Sequence, residues 1–364
     1  MKHILKNLRA EFVFNKYSFI NSLKSILACI IGLILTRLLN LAQPQWVLIS
    51  IVIVMASQYR LGGAMIKGYT RLLATAIGAS LASVILFLYT IHILLVYGVL
   101  LIFIAIFIYF ATNSKDYAYA YTLGAVTMIV IVVSDNPQFQ NALYRLYEII
   151  LGVIVAILVS RFVAPIKAEE MLYKNIAKTL HLLKNVYQLF IREDKTFNLQ
   201  AKGSNLEEEI IQNFAAQSVL LREACTETHK IRSQRSLYII LLRLERRLLR
   251  SIYMLHYTLR ISLRSFGNII SMHEFKILHR MITTMIEDIA RKIQNKDYVL
   301  QELNLDPNFD DITAKLLGVF NQYSFSEKNK IHAFIFCLGH VILVLKRMRK
   351  IVVEISAAPS DTPS

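Results

Sequence analysis

The stretch from Leu72 to Ser114, LLATAIGASLASVILFLYTIHILLVYGVLLIFIAIFIYFATNS, contains no Asp, Glu, Lys or Arg. A helix needs roughly 20 mainly apolar residues to cross a lipid bilayer, so this stretch is long enough for two crossings. A short break at Thr90–His92 divides it. We therefore place membrane-spanning helices at 71–90 and 92–112.

The same pattern continues on both sides of this stretch. Four further apolar segments are separated by short loops, and the second of the six is short for a full crossing. The sequence predicts an all-α polytopic membrane protein with six transmembrane helices followed by a cytosolic helical bundle. The six predicted spans are 19–40, 45–58, 71–90, 92–112, 117–134 and 143–163.

Charge divides the chain into two unlike halves. Residues 1–164 carry 12 Lys or Arg and 4 Asp or Glu, whereas residues 165–364 carry 29 and 21. The whole chain is 55% apolar with a mean hydropathy of +0.47, which excludes a purely soluble or a disordered protein. The predicted domains are an N-terminal cytosolic segment (1–16), a transmembrane domain (17–166), a cytosolic helical domain (167–353) and a disordered tail (354–364).

The distribution of Lys and Arg predicts the orientation. Ten basic residues flank the spans on one side and two flank them on the other, and short loops rich in Lys and Arg stay in the cytoplasm. Both termini are therefore expected to be cytoplasmic. The ten are Lys2, Lys6, Arg9, Lys16, Arg60, Lys67, Arg71, Lys115, Arg161 and Lys167, and the two are Arg37 and Arg145.

The third and sixth spans share a spacing that suggests an internal repeat. Small residues follow Arg71 at offsets of +3, +7 and +11, and the same offsets from Arg145 hold Glu148 and two small residues. Small residues on one face let membrane helices pack closely, and two inverted halves of three spans are common in transporters. The predicted helix-packing positions are Ala74, Thr75, Gly78, Ala82, Gly152 and Ala156.

Two motifs resemble a known family. Pro44-Gln45-Trp46-Val47-Leu48 and Arg71-Leu72-Leu73-Ala74-Thr75-Ala76-Ile77-Gly78 are similar to the P-x-W and R-x-x-G-T-x-x-G segments of the fusaric-acid-resistance-like family. That family includes aromatic carboxylic acid exporters and is similar in layout to plant aluminium-activated malate channels. The resemblance covers roughly residues 17–166 and implies a multi-pass transporter of the bacterial inner membrane.

The chain departs from the family pattern in two ways. Ala74 stands where the family usually has glycine, and the chain carries one six-span unit where many family exporters carry two. The resemblance therefore implies a homodimer that restores the doubled arrangement. Trp46 and the tyrosines near span ends are more typical of an interfacial aromatic belt than of ligand stacking.

Five charged residues are candidates for a substrate path. A charge within the hydrocarbon usually faces protein or a watery cavity. Arg71 and Arg145 are each predicted to begin a helix, where free N–H groups favour anions. Glu148 follows Arg145 by one turn, as an intrahelical ion-pair partner or as a proton carrier. Arg37 either lines the path or reaches the lipid headgroups. Lys67 either attracts anions to the path or is one of the basic residues that set the orientation in the membrane.

The second half is predicted to form a helical bundle with helices at about 167–192, 205–233, 235–262, 272–296, 309–323 and 326–353. We interpret the apolar segment 331–345 as a buried bundle helix, because it is short for a span. The histidines and the three cysteines show no metal-ligand spacing, and no phosphate-binding loop or nucleophile–base pair is present. We therefore expect no enzyme activity, no cofactor, no bound metal and no nucleic-acid partner.

Two functions remain open from the sequence. The first is transport of a small organic anion, for which positive residues inside and at both mouths of the path are suited. The second is a membrane-anchored helical scaffold or regulatory protein without transport activity, in which membrane charges would be packed in pairs. Partners beyond the lipid bilayer, the substrate and a second copy of the chain are not indicated.

Overall fold

The computed structural model describes residues 16–56, 59–88, 92–114, 117–134, 139–191, 199–261, 270–295, 297–301 and 325–357, together with 314 and 318. The chain forms two compact units, residues 1–168 and 169–364, which we call the membrane unit and the bundle unit. All regular elements within the described residues are helices. The predicted all-α polytopic fold is confirmed.

The membrane unit contains six described helices. They are α1 (Lys16–Leu38), α2 (Gln45–Ala56), α3 (Leu61–Phe87), α4 (Ile93–Asn113), α5 (Ala118–Val132) and α6 (Phe139–Phe162). Four of these are long and apolar enough to cross a membrane, whereas α2 and α5 are shorter apolar helices. With 12 residues, α2 is about 18 Å long and does not match a hydrocarbon thickness of about 30 Å.

Helix α3 begins earlier than the sequence predicted. It starts at Leu61, ten residues before Arg71, rather than at residue 71. Hydropathy missed these turns because Lys67 and Arg71 lower the local average. Gly62, Gly63 and Ala64 are buried there, so the first turns of α3 pack against protein.

The six helices pack as two interlocking groups. Helices α1 and α2 pack against α6, and α4 and α5 pack against the second part of α3. The first two helices of each predicted half thus pack against the third helix of the other half. The two third helices, α3 and α6, also pack against each other. This is the pairing order expected from two repeated halves, α1–α3 and α4–α6.

Glycines set the two closest crossings of these groups. A Cβ built on Gly78 of α3 would lie 2.6 Å from the Gly124 carbonyl oxygen of α5, and one on Gly152 of α6 would lie 2.5 Å from the Val47 carbonyl oxygen of α2. Gly152 follows Gly78 by the same 74 residues that separate Arg145 from Arg71. The repeat suggested by the sequence spacing is therefore also present in the packing.

The outer faces of these helices are apolar. In α4 the side chains of Leu94, Leu101 and Ile102 are each more than 60% exposed. An exposed apolar surface of this extent is typical of contact with lipid rather than with water. The buried residues of α4 are Val96 and Leu100, so this helix contacts the rest of the unit on one side only.

The bundle unit contains the remaining helices. They are α7 (Ala168–Ile191), α8 (Leu199–Glu227), α9 (His229–Ser233), α10 (Arg235–Ile261), α11 (His273–Gln294) and α12 (Phe325–Ala357). The sequence placed one helix at 205–233, but extended backbone at Thr228 ends α8 there. The predicted separator around Gly203 is helical instead, since one glycine within a helix costs only about 1 kcal/mol.

Helix α12 is long and apolar enough to cross a membrane by length and composition. It nevertheless packs against α10 and α11 within the bundle unit, and α10 carries exposed arginines on its outer face. We therefore assign α12 to the bundle, as predicted for 331–345. Its buried residues recur at intervals of three and four: Ile331, Phe334, Leu338, Val341, Leu345, Met348, Val352 and Ile355.

The predicted ends of the chain lie partly outside the described residues. Helix α12 continues to Ala357, so residues 354–357 are helical and not part of a tail. Residues 358–364 and 1–15 are not among those described. The helix predicted at 309–323 is described only at 314 and 318, both of which are helical.

Helix α10 of the bundle unit carries a fully buried acid. Glu245 of α10 is 0% exposed, and this burial raises its pKa well above the ordinary carboxyl value, with partial offset from Gln217 and Arg246. Gln217 donates through Nε2 to the Thr179 hydroxyl at 3.2 Å, and its Oε1 has no partner. Both carboxyl oxygens of Glu245 also have no hydrogen-bond partner, and a buried charge without partners is costly, so burial favours the protonated form of Glu245.

Candidate functional site

The candidate site surrounds the beginning of α2. The preceding turn contains Asn40 at a φ of +46°, and Pro44 comes immediately before Gln45, the first residue of α2. Proline suits this position because it lacks an N–H, which a helix start leaves unpaired in any case. The Trp46 indole Nε1 donates to Gln43 Oε1 at 3.0 Å, which fixes the ring over the turn.

Glu148 of α6 binds the backbone two residues before this helix start. Its Oε1 accepts a hydrogen bond from the Gln43 backbone N–H at 2.7 Å, and its side chain is 1% exposed. Its second oxygen, Oε2, is buried and has no hydrogen-bond partner. Oε1 of Glu148 therefore has a structural role, whereas Oε2 is left without a hydrogen bond.

Arg145 lies on the aromatic ring of the same turn. Its guanidinium carbon is 4.3 Å from the centroid of the Trp46 ring, a cation–π contact. The side chain is 8% exposed, and its Nε and Nη1 have no hydrogen-bond partner. No salt bridge joins Arg145 to Glu148 among the described contacts.

The intrahelical ion pair that the spacing suggested is therefore not formed. Side chains four or three positions apart on a helix can pair, but here each one is drawn to α2 instead. Glu148 binds the Gln43 backbone and Arg145 stacks on Trp46. The interaction between the two charges is electrostatic only.

Arg71 of α3 reaches the same helix one turn later. Its Nε donates to the Ser50 hydroxyl at 3.2 Å, and Ser50 donates to the Trp46 carbonyl oxygen at 2.6 Å. Arg71 is 1% exposed, and its Nη1 is buried without a partner. Its described hydrogen-bond partner is thus a neutral hydroxyl group rather than an acid.

Both arginines therefore approach a single turn of α2, from Trp46 to Ser50. The sequence placed them at opposite edges of the membrane and each at a helix start. In the structure Arg71 follows the start of α3 by ten residues and Arg145 follows the start of α6 by six. The argument from free N–H groups at their own helix starts is wrong, and the helix start present at the site is that of α2.

Close packing holds this cluster in place. A Cβ on Gly152 would lie 2.7 Å from the Ser50 Cβ, so only glycine lets α6 approach α2 this closely. The predicted packing positions on α3 are also buried, and the side chain of Thr75 leaves its hydroxyl without a partner. Exposed fractions are 4% for Ala74, 1% for Thr75, and 0% for Ala82 and Ala156.

The other predicted path residues lie apart from this cluster. Lys67, one turn before Arg71 on α3, is half-buried, with its Nζ 4.6 Å from the Tyr119 ring centroid of α5. Arg37 is exposed in the last turn of α1, and no described contact joins it to Arg71 or Arg145. Lys24 of α1, another charged residue of the membrane unit, is 3% exposed.

Sequence reasoning missed three members of the cluster. Gln43, Trp46 and Ser50 carry no charge, and Trp46 was interpreted as part of an interfacial belt. The signal that could have identified them is the Pro44-Gln45-Trp46 motif at the start of an unusually short apolar helix. Short helices in equivalent places of two repeats point to the binding site in transporters.

A comparison with protein families identifies the family of the chain. A family model described as the fusaric acid resistance protein family matches residues 18–291. The match includes every helix of the membrane unit and continues into the bundle unit as far as α11. It therefore extends well beyond the residues 17–166 that carried the resemblance in the sequence.

Proposed function

Because the chain belongs to the fusaric acid resistance protein family, we propose that it exports organic carboxylate anions, aromatic ones in particular, across the bacterial inner membrane. Membership of this family places it among multi-pass membrane transport proteins. The substrate class and the membrane are our proposal. The cluster of Arg71, Arg145, Glu148, Trp46 and Ser50 is the proposed binding site.

One observation carries this proposal. Three guanidinium nitrogens, Nη1 of Arg71 and both Nε and Nη1 of Arg145, are buried without hydrogen-bond partners. A buried donor left unpaired costs about 1–3 kcal/mol, and more when it is charged. A carboxylate supplies two oxygens that match the guanidinium fork, so a bound organic anion would satisfy these groups.

The surroundings favour an anion with a ring. Arg145 already contacts the Trp46 ring, with its guanidinium carbon 4.3 Å from the ring centroid, and the ring of an aromatic substrate would add a contact of the same kind. The start of α2, beside Trp46, adds the positive end of a helix dipole. The strip of Lys67, Arg71 and Thr75 along one face of α3 would lead the anion to and from the site.

Flux through reconstituted protein tests the proposal. Purified protein in liposomes should transport benzoate, and Arg145→Ala should abolish this flux while leaving assembly intact on size-exclusion chromatography. Arg161→Ala is the matched control, because Arg161 is an exposed arginine on the same helix and its loss should change flux less than twofold. Unchanged benzoate flux in Arg145→Ala would remove Arg145 from the binding site, and absence of flux in the wild type would favour the scaffold function instead.

We also propose that the transporter works as a homodimer with both termini in the cytoplasm. The chain holds one six-helix membrane unit, whereas the resemblance implies a doubled arrangement. Light scattering of the protein in detergent should give twice the mass of one 41.8 kDa chain. A monomer that transports benzoate at the full rate would overturn this part of the proposal and leave the substrate class unaffected.

A further inference from the structure

The charges of the candidate site do not balance. Two guanidinium groups, Arg71 and Arg145, are buried there with one carboxylate, Glu148. With Glu148 ionised, the cluster has a net charge of +1, and one bound carboxylate would neutralise it. That bound anion would, however, be placed near the negative charge of Glu148 itself, since both interact with Arg145.

The geometry of Glu148 offers a way to relieve this conflict. Oε1 accepts the Gln43 N–H, while Oε2 is buried and has no partner. As a carboxylate, Oε2 can only accept hydrogen bonds and would repel an incoming anion. As a neutral acid, Oε2 carries a hydrogen that it can donate to the anion, and the bond from Gln43 to Oε1 is kept.

Few other groups compete for this role. Helix α6 packs against α1, α2 and α3. Their ionisable side chains are Lys16, Tyr17, Lys24, Cys29 and Arg37 on α1 and Lys67, Tyr69 and Arg71 on α3, and α2 has none. None of these forms a described interaction with Glu148, whose partners are Gln43 and Arg145.

We propose that Glu148 takes up one proton on Oε2 when a carboxylate anion binds beside Arg145, so that the proton and the anion bind together. The proton comes from a hydronium ion: an O–H bond forms on Oε2 while an O–H bond of the hydronium breaks and leaves water. This inference depends on the proposed function, because it concerns the same site. Binding of a negative charge and of a proton at neighbouring positions favour each other by the same factor.

Two consequences follow for the transport cycle. Anion affinity should rise as pH falls, by up to about tenfold per pH unit where the free protein is ionised and the complex is protonated. The pair that moves is neutral overall, so the membrane potential should not drive its flux. Export would carry the proton outward together with the anion, so it proceeds only where the outward anion gradient exceeds any inward proton gradient.

Calorimetry with benzoate tests the inference on the full chain in detergent. Between pH 6 and 8 benzoate stays ionised, because carboxylic acids of this kind have pKa values of about 4. Titrations in two buffers of different ionisation enthalpy should show protons taken up on binding, approaching one per anion. Trp46 is the chain's single tryptophan, so its fluorescence should report the same binding event.

Glu148→Gln imitates the neutral acid and should bind benzoate with the same affinity at every pH, without proton uptake. Glu170→Gln, which removes an exposed carboxylate, should behave as the wild type. Benzoate binding with no proton uptake in the wild type would overturn the inference and leave the proposed function standing. Absence of benzoate binding at every pH would overturn both, and the wild-type measurement decides even if Glu148→Gln does not fold.

Discussion

Helices α2 and α5 occupy equivalent places in the two halves of the membrane unit but differ in chemistry. Val47 and Ser50 of α2 lie against Gly152, and the residues 77 positions later, Gly124 and Thr127 of α5, lie against Gly78. Ser50 accepts a hydrogen bond from Arg71. Thr127 donates only to its own helix, to the Leu123 carbonyl oxygen at 2.8 Å.

This difference separates packing from function. The repeated glycines bring a long helix against a short one at both crossings, so the architecture needs this contact twice. The buried charges gather at one crossing only, because Arg145 turns toward Trp46 of α2 rather than toward α5. A repeated fold thus carries one polar site, and the α5 crossing is an internal control for each test.

The largest effects are expected from the glycines, and they should be equal at both crossings. Gly78→Ala places a Cβ 2.6 Å from a backbone carbonyl oxygen, and Gly152→Ala places one at 2.5 Å. Overpacking of this kind costs roughly 1–3 kcal/mol, so both variants should assemble poorly. Thermal unfolding in detergent, followed by size-exclusion chromatography, measures this loss.

Gly98→Ala is the matched control for both glycines. A Cβ at Gly98 of α4 would meet no atom within 4 Å, so the variant should unfold at the wild-type temperature. If Gly78→Ala or Gly152→Ala were as stable as Gly98→Ala, the close crossings would not be what holds the two halves together.

An effect on transport rather than on assembly, and at one crossing only, is expected from the hydroxyl groups. Ser50→Ala removes the described partner of Arg71 Nε, and hydrogen bonds to charged groups contribute about 1.5–3 kcal/mol. We expect benzoate flux to fall at least about tenfold. Thr127→Val removes only a bond within α5 and should keep flux within about twofold, so an equal loss in both variants would break the asymmetry between α2 and α5.

The smallest effect on transport is expected from the indole nitrogen. Trp46→Phe keeps an aromatic face for Arg145 but loses the hydrogen bond to Gln43, a contribution of about 1 kcal/mol. Flux should fall by a few fold, whereas Trp46→Leu, which copies the Leu123 side chain found at the equivalent place in α5, should lose more. Comparable flux in the two variants would show that the aromatic face does not matter.

Much of the membrane architecture could be predicted from hydropathy. The uncharged run from Leu72 to Ser114 determined two helices, and the offsets from Arg71 and Arg145 indicated the glycine crossings. The start of α3 could not be found in this way, because its first turns are buried against protein rather than lipid. Hydropathy measures suitability for lipid and does not record such contacts.

The site was predicted in part. A charged residue within an apolar segment is conspicuous in a sequence, so Arg71, Arg145 and Glu148 were identified. Their partners on α2 were not, because Gln43 and Ser50 are ordinary polar residues whose importance comes from a contact between distant segments. The spacing of Arg145 and Glu148 suggested an ion pair, but competition from α2 decides where each side chain lies.

The buried acid Glu245 makes the stability of the bundle unit depend on pH. Burial raises its pKa in the folded chain, so above the unfolded value of about 4.3 the unfolded chain releases a proton that the folded chain retains. Folding therefore loses roughly 1 kcal/mol per pH unit until the folded group also ionises. Hydrogen exchange of α10, corrected for its intrinsic pH dependence, should speed up with rising pH in the wild type and much less in Glu245→Gln. The bundle unit should therefore open most readily at high pH.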